Sequence, residues 1–196
     1  IKFLLGHIIE ELTLFLVREA GHEVTMCQEE VKVNGVKGHI DAMIDGELVD
    51  VKSASPYGFR KFHNGSLKND DPFGYIYQIS SYAKALKKDA GYFLAVDKSN
   101  GFMTLLKTDV TDVNPEERID QLKKTLNDKE PPEKCYQPIE ENNGNKKLAI
   151  GCKFCDFKTI CWKDSNDGFG LRKFKYASGD EYYTHVEKEP RVREDF

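Results

Sequence analysis

The sequence predicts an α+β or α/β protein with a central mixed sheet flanked by helices. Three observations lead to this class: a helical apolar pattern near the start, a run of short strands joined by tight turns, and a second helix followed by further strands. The chain has 196 residues, 39% hydrophobic and 32% charged, which is enough for one sizeable core. We expect a core in residues 1–127. Residues 128–196 are expected to hold a linker, a cysteine-rich segment and a hairpin packed on that core.

The first helix is predicted over residues 3–20, with Gly21 as its stop. Its apolar residues recur at helical spacing and form one stripe: Leu5, Ile8, Ile9, Leu12, Phe15 and Leu16. Strands follow over 24–33, 36–44 and 47–53, because Asn34-Gly35 and Asp45-Gly46 are strong hairpin-turn signals.

Residues 55–73 are rich in Gly, Asn, Asp, Pro and Ser and are predicted to form a loop. The later elements predicted are a helix over 74–88, strands over 91–97 and 102–107, a polar helix near 115–127, a linker over 128–147 and a hairpin of 171–177 with 181–187.

Composition narrows the classes of function. No segment approaches the roughly 20 apolar residues that a membrane span requires, and no signal peptide is expected. The net charge of −4 argues weakly against nucleic-acid binding, but carboxylates at a metal site lower it and only the local groove must be positive. The sequence contains no phosphate-cradling glycine-rich loop, so a nucleotide-binding fold has no support.

The most informative segment joins two predicted strands through the Asp45-Gly46 turn. Asp50 and Lys52 are two positions apart in the second strand, so they project from the same face. Asp41, in the first strand, is expected opposite Asp50 or one neighbour away. Two carboxylates can hold Mg²⁺ or Mn²⁺, and a lysine beside them can offset charge on a reacting phosphate. The segment therefore predicts a catalytic centre for phosphodiester hydrolysis.

This arrangement closely resembles the PD-(D/E)xK nuclease superfamily, and within it the RecB-like branch, whose core is restriction-endonuclease-like. Asp41 and Asp50-Val51-Lys52 match its central motif, with Asp50 in place of the commoner Glu. Gln78 and Tyr82 match the Gln-x-x-x-Tyr that this branch carries on a later helix.

The resemblance also extends to the first helix, where Gly6 and Glu10 match Gly-x-x-x-Glu. It implies that Glu10 is a further acidic group near the metal. Glu11 is the competing candidate, and His7 remains open.

Residues 55–68 are the predicted DNA-contact segment. Aromatic rings can stack on bases while cations follow the phosphates, and both kinds of residue alternate here. The candidates are Tyr57, Phe59, Arg60, Lys61 and Phe62. The alternative is that Phe59 and Phe62 anchor the segment to the core.

Three of the five cysteines form the motif Cys152-x-x-Cys155-x5-Cys161. Such spacing serves zinc or iron–sulfur clusters and indicates a reducing compartment. The segment resembles the C-terminal clasp of RecB-like nucleases that carry a [4Fe–4S] cluster. Short loop closure favours Cys135, which is the expected fourth ligand. The family habit of an early cysteine makes Cys27 the alternative.

Together these features predict a Mg²⁺- or Mn²⁺-dependent DNA exonuclease that prefers single-stranded ends. We expect it in the cytoplasm of a bacterial or archaeal cell, with a phage-encoded origin open, and in recombination, repair, phage DNA processing or CRISPR adaptation. DNA is the expected partner, with proteins of a recombination or CRISPR system as further candidates and no membrane; the oligomeric state is left open. The alternatives are a non-catalytic DNA-binding or assembly module of the same fold and a zinc-containing endonuclease.

Overall fold

A computed structural model describes residues 2–128 and 133–195. The chain divides into two compact units, Ile1–Leu126 and Asn127–Phe196. The first unit has a five-stranded mixed sheet with helices on its faces, so the predicted α+β architecture is confirmed. None of the helices in the described ranges combines the length and apolarity that a bilayer span requires.

The helices of the first unit are α1 (Lys2–Glu19), α2 (Pro56–His63), α3 (Tyr75–Leu86) and α4 (Pro115–Asn127), with a short 3-10 helix at Leu67–Asn69. Its strands are β1 (Val24–Thr25), β2 (Glu30–Val33), β3 (Val36–His39), β4 (Ala42–Ile44), β5 (Glu47–Ala54), β6 (Ala90–Asp97) and β7 (Met103–Asp109). The second unit contains β8 (Ile139–Glu140), β9 (Lys146–Lys147), α5 (Ile150–Lys153), α6 (Lys158–Cys161), β10 (Arg172–Tyr176) and β11 (Gly179–His185).

The sheet of the first unit has the strand order β1-β4-β5-β6-β7. Only the β5–β6 pair is parallel, and β2 and β3 form a separate antiparallel hairpin. The two predicted turns are present, because Asn34-Gly35 and Asp45-Gly46 all have positive φ angles, as a two-residue type I′ turn requires. The β4–β5 hairpin therefore brings the segment before Ala42 beside the middle of β5.

The central strand β5 is buried on both faces, which fixes its register. Leu48 is in one core cluster with Ile79 of α3 and Phe93 of β6. Val51 faces the other way and packs with Leu14 of α1 in a second cluster. The catalytic candidates on β5 are therefore carried by the most completely packed strand of the unit.

Two predicted strands are shorter than expected. The 24–33 strand is broken because Met26 and Gln28 have positive φ, which an extended strand excludes. The 36–44 strand is interrupted at Ile40 and Asp41, where Ile40 turns inward and is fully buried.

The prediction that residues 55–73 form a loop is wrong, because they contain α2 and the 3-10 helix. Ser55 caps α2 by accepting a hydrogen bond from the Gly58 amide at 3.2 Å, and Pro56 occupies the first turn. Serine and proline are common in loops, but they are also common at the first positions of helices, which explains the error.

The second unit has the sheet order β10-β11-β9-β8. The predicted hairpin is confirmed as β10 and β11, which pair from Arg172–Tyr183 to Tyr176–Gly179. The prediction of a linker throughout 128–147 is wrong for its second part, because β8 and β9 lie there. Residues 129–132 of that range lie outside the described residues.

Candidate functional site

Asp50 and Lys52 occupy the same face of β5 and form an ion pair. Lys52 Nζ is 2.7 Å from Asp50 Oδ2, and the Asp50 side chain is only 2% exposed. The contact is an ion pair without the angles of a hydrogen bond, so Asp50 Oδ2 has no hydrogen-bond partner among the described residues. A buried carboxylate oxygen without a hydrogen bond keeps acceptor capacity beside the Lys52 charge, and a divalent cation could use that capacity.

Asp41 lies in the interruption between β3 and β4, rather than in a strand as predicted. Its Oδ2 accepts a hydrogen bond from the Val51 amide at 2.7 Å. This bond fixes the carboxylate against β5 between Asp50 and Lys52. Lys52 contributes an attractive charge to Asp41, while Asp41 and Asp50 repel each other.

Glu10 of α1 is the third acidic group of the site, and its side chain is 13% exposed. Its Oε1 accepts a hydrogen bond from Gln28 Nε2 at 2.5 Å, and its Oε2 is 3.8 Å from His7 Nδ1. The charge of Glu10 acts on Asp50, whereas Glu11 is exposed. Of the candidates on α1, the structure thus brings Glu10 to the acidic cluster, with His7 at its edge.

Burial disfavours the charged forms of all three carboxylates, and repulsion from neighbouring carboxylates adds to this for Asp50 and Glu10. Burial, together with the nearby charges of Asp41 and Glu10, raises the pKa of Asp50 to about 7 despite the ion pair with Lys52. Burial also raises the pKa of Asp41, against the Val51 amide and Lys52. The pKa of Glu10 is raised by burial and by Asp41. A bound cation would relieve this repulsion.

Lys52 is held by three neighbours. Its ammonium donates to Gln78 Oε1 of α3 at 3.1 Å and lies 4.7 Å from the centroid of the Tyr75 ring. Burial works to lower the pKa of Lys52, but the charges of Asp50 and Asp41, with a smaller contribution from Tyr75, raise it above its ordinary value. Lys52 is therefore a fixed, protonated ammonium at neutral pH.

Gln78 and Tyr82 lie one turn apart on α3 and are joined by a hydrogen bond from Gln78 Nε2 to Tyr82 Oη at 3.3 Å. The Tyr82 ring also lies against β3, where a Cβ added to Gly38 would be 2.7 Å from Tyr82 Cε1. Gly38 thus permits this approach. Gln78 reaches Lys52 directly, and Tyr82 acts on the site by holding Gln78.

Sequence reasoning missed Tyr75 and Gln28. Tyr75 precedes Gln78 by three positions, so the helical spacing that singled out Tyr82 also places Tyr75 on that face. Its ring packs near Phe62 and Phe93, and burial raises its pKa. Gln28 depends on the positive-φ turn after β1, and we find no local signal that would have indicated its role.

The predicted DNA contacts fall on α2 and divide between surface and core. Tyr57 is 64% exposed, with the Arg60 guanidinium 5.8 Å and the Lys61 ammonium 5.2 Å from its ring centroid. The prediction that Phe62 contacts DNA is wrong, because its ring is 4% exposed and packs edge-on against Phe93. Phe59 packs against the same core, so the anchoring alternative holds for both phenylalanines.

Four of the five cysteines lie in the second unit. Cys152 is buried, and burial raises its pKa, as do the thiols of Cys135, Cys155 and Cys161, although a Trp162 hydrogen bond lowers it. These four thiols therefore share one neighbourhood. Cys27 belongs to the first unit, where Arg18 Nη2 donates to its Sγ at 3.1 Å.

Neither the carboxylates around Asp50 nor the thiols around Cys152 are arranged as a complete set of metal ligands. Within residues 2–128 and 133–195, no three His, Cys, Asp or Glu side chains converge closely enough to hold an ion. Each cluster nevertheless has suitable donors: hard carboxylate oxygens around Asp50, and soft thiols around Cys152. The absence of a hydrogen bond to Asp50 Oδ2 and the raised pKa values of Asp41 and Glu10 fit a divalent cation at the carboxylate cluster.

One consequence can be measured on the metal-free protein. The pKa of Asp50 is about 7 in the folded state and near 3.9 in the unfolded state. At a pH between these two pKa values, Asp50 is therefore protonated in the folded protein and ionised in the unfolded protein. The free energy of unfolding should therefore fall as pH rises through this window and remain low above about pH 7. Asp50→Asn, which mimics the protonated acid, should be more stable than the parent at about pH 8 and lack this pH dependence.

Chemical denaturation in EDTA from about pH 5 to 8 checks this expectation. Asp109→Asn is the matched control, because Asp109 is exposed and its pKa is lowered by the Thr111 hydroxyl and amide. It is ionised throughout this range, so its replacement should leave the pH dependence as in the parent. An Asp50→Asn protein that is less stable than the parent at pH 8 would contradict the electrostatic description of the site.

Solved structures that are similar to this chain include the following two. An alkaline exonuclease from Laribacter hongkongensis matches with a TM-score of 0.42 and 15% identity, over 63% of this chain and 73% of that one. The protein SSO0001 matches with a TM-score of 0.44 and 18% identity, over 82% of this chain and 70% of that one. The α+β architecture of this chain is established by its own strands and helices, not by these scores. No family model and no curated protein sequence matches the chain.

Proposed function

We propose that this chain is a metal-dependent deoxyribonuclease of the RecB-like PD-(D/E)xK type. The observation that carries the proposal is the buried Asp50–Lys52 pair, in which Asp50 Oδ2 has no hydrogen-bond partner among the described residues. A merely structural ion pair needs one carboxylate for one ammonium, whereas here the charges of Asp41 and Glu10 also act on Asp50, and a cation would relieve that repulsion. The site is better suited to bind a cation and a phosphate.

Asp41, Asp50 and Glu10 would hold Mg²⁺ or Mn²⁺. These ions prefer carboxylate oxygens, and the charges of all three side chains interact in the structure. When bound, the ion supplies Lewis-acid polarisation of the phosphate and a lower pKa for a coordinated water. Binding one cation beside these carboxylates would also offset the cost of their burial and the repulsion that acts on Asp50 and Glu10.

Lys52 would stabilise the negative charge that develops on the phosphate. Its ammonium is fixed by Asp50, Gln78 and the Tyr75 ring, so little reorganisation is needed when the charge develops. A flexible surface lysine lacks this property. Gln78 orients Lys52, and Tyr82 fixes Gln78 in turn.

The exposed end of α2 would bind the DNA strand. Tyr57 offers a base-stacking surface, and Arg60 is exposed beside it. Lys61 is less free to contact phosphate, because its ammonium is 2.5 Å from Asp70 Oδ2. Stacking on Tyr57 requires an unpaired base, which favours single-stranded DNA.

The substrate assignment predicts that cleavage requires a DNA end. A labelled linear single strand should be degraded in Mg²⁺ or Mn²⁺, whereas a covalently closed circle of the same sequence should remain intact. Tyr57→Ala should raise KM for the linear strand with little change in kcat. Tyr77→Ala is the control, because Tyr77 is also exposed and lies 5.9 Å from an arginine, Arg118, but on α3. Efficient cutting of the circle would identify an endonuclease instead.

For the second unit we propose a [4Fe–4S] cluster held by Cys135, Cys152, Cys155 and Cys161. The chemistry of the donors supports this assignment, since four thiols in one neighbourhood are the ligand set of such clusters. Zinc is the alternative occupant. In either case the group would stabilise the fold of the second unit, and the carboxylate site would not depend on it for ligands.

We further propose that the chain acts in the cytoplasm, in the processing of DNA during recombination, repair, phage replication or CRISPR adaptation. A thiol-ligated cluster fits a reducing compartment. Proteins of a recombination or CRISPR system are the expected partners.

A further inference from the structure

The helix α1 is apolar on the side that faces solvent. Six large side chains form this outer stripe, each between 42% and 61% exposed: Leu4, Leu5, Ile8, Leu12, Phe15 and Leu16. A helix on the surface of a globular protein normally turns its apolar face to the core. The sequence pattern correctly located a stripe on this helix, but the stripe lies on the opposite side from the sheet.

The inner face of α1 explains this reversal. Thr13 and Leu14 are buried there, and Gly6 approaches β5, where a Cβ would be 3.9 Å from Ser53 Oγ. Glu10 also projects from this side and reaches the acidic cluster. Because the inner face serves the candidate catalytic site, the outer stripe is not needed for the core of the unit.

The order of residues in the stripe is symmetric about position 10. Leu4 and Leu16 are equally far from this midpoint, as are Leu5 and Phe15. Ile8 and Leu12 complete the set. A two-fold axis through the midpoint therefore places every stripe residue of one helix against a stripe residue of an antiparallel copy. From Leu5 to Phe15 the stripe residues are three or four positions apart. This is the spacing of apolar residues in coiled coils, where the side chains of two helices interdigitate.

We propose that the outer stripe is the interface of a symmetric homodimer in which two α1 helices pack antiparallel. Symmetric dimers use the same patch on both subunits, and a stripe that is self-complementary meets this requirement. The stripe offers on the order of 500 Å² of apolar surface, the size of the functional patches found on monomers. Two copies would bury about 1,000 Å², which is the lower limit for a specific interface.

The dimer is expected to be weak, with a dissociation constant in the micromolar range, because the interface is small. Sedimentation velocity from about 1 to 100 µM protein should show a concentration-dependent change from 22.4 kDa to twice that mass. Leu12→Glu introduces a charge at two symmetric places and should weaken association by about 100-fold or more. Leu126→Glu is the control: Leu126 is 77% exposed on α4, outside the stripe, so association should be unchanged.

A charge-pair experiment tests the antiparallel register. The Ile8→Lys and Leu12→Glu proteins should each be monomeric alone. In a dimer of either variant, the new charge of each chain would face an apolar side chain of the other. Mixed together, they should form a heterodimer, because Ile8 of one chain faces Leu12 of the other and the two new charges attract. Circular dichroism verifies that each variant is folded, which half-exposed positions should allow.

Three results would overturn the proposal. The parent protein could remain a monomer throughout the concentration range, which would mean that a different molecule covers the stripe. It could form a dimer that Leu12→Glu leaves intact, which would place the interface elsewhere. Failure of the mixed variants to associate, with the parent dimeric, would exclude the antiparallel register. None of these outcomes depends on nuclease activity, so they are separate from tests of the proposed function.

Discussion

Lys52→Ala is expected to reduce DNA cleavage by about 100-fold to 1,000-fold while leaving DNA binding largely intact, since a preorganised charge that stabilises the transition state is removed. The Lys52 ammonium forms an ion pair with Asp50 Oδ2, and it is held by Gln78 and Tyr75. Asp50→Asn should reduce cleavage at least as much, because it removes a proposed metal ligand. Initial rates on a labelled single strand, together with DNA binding measured in Ca²⁺, separate the loss of catalysis from the loss of binding.

Lys88→Ala provides the matched control for these variants. Lys88 also pairs with a carboxylate of β5, at 3.9 Å from Glu47, but the pair is exposed at the other end of the strand. Exposed pairs contribute little, so its cleavage rate should be close to that of the parent. Cleavage by Lys52→Ala at the same rate as Lys88→Ala would show that the ammonium of Lys52 has no part in the reaction.

The second large effect concerns the cysteines of the second unit. Anaerobically purified protein should contain about four iron and four sulfide per chain, as a cluster with four cysteine ligands requires. Cys135→Ser should lower this content strongly and destabilise the second unit, because Cys135 is near Cys152 in the structure. Cys27→Ser should leave the iron content unchanged, since the Cys27 thiol already accepts a hydrogen bond from Arg18.

Iron and sulfide analysis with visible absorbance measures both variants. If Cys27→Ser loses the cluster and Cys135→Ser retains it, the fourth ligand is Cys27, as the resemblance to RecB-like nucleases with an early cysteine suggests. Stoichiometric zinc without sulfide would overturn the cluster assignment. Neither result would alter the carboxylate site, whose residues belong to the first unit.

The sequence predicted the parts of the fold that depend on local patterns. The turns at Asn34-Gly35 and Asp45-Gly46 need positive φ, and few residue pairs supply it. The strand period placed Asp50 and Lys52 on one face, where they form an ion pair. Gln78 and Tyr82 are similarly linked by helical spacing.

What could not be predicted depends on tertiary packing. The composition of residues 55–73 did not separate a capped helix from a loop, and only the packed structure shows that Phe62 is buried against Phe93. The apolar stripe of α1 was evident, but its side could not be known, because Glu10 and Gly6 require the opposite face for the candidate site. The contacts of Gln28 with Glu10 and of Tyr75 with Lys52 join distant segments and had no strong local signal.

The central claim is that Asp41, Asp50 and Glu10 hold a divalent cation that DNA hydrolysis requires. The most direct measurement is the cleavage of end-labelled single-stranded and double-stranded DNA by the purified protein in Mg²⁺, in Mn²⁺ and in excess EDTA, with Asp50→Asn in parallel. The parent protein should cleave in Mg²⁺ or Mn²⁺ but not in EDTA, and should recover when the metal is returned; Asp50→Asn should be slower by at least about 100-fold in either metal. Cleavage by the parent in EDTA, or equal cleavage by Asp50→Asn, would contradict the central claim, as would a folded parent protein that leaves both substrates intact in both metals.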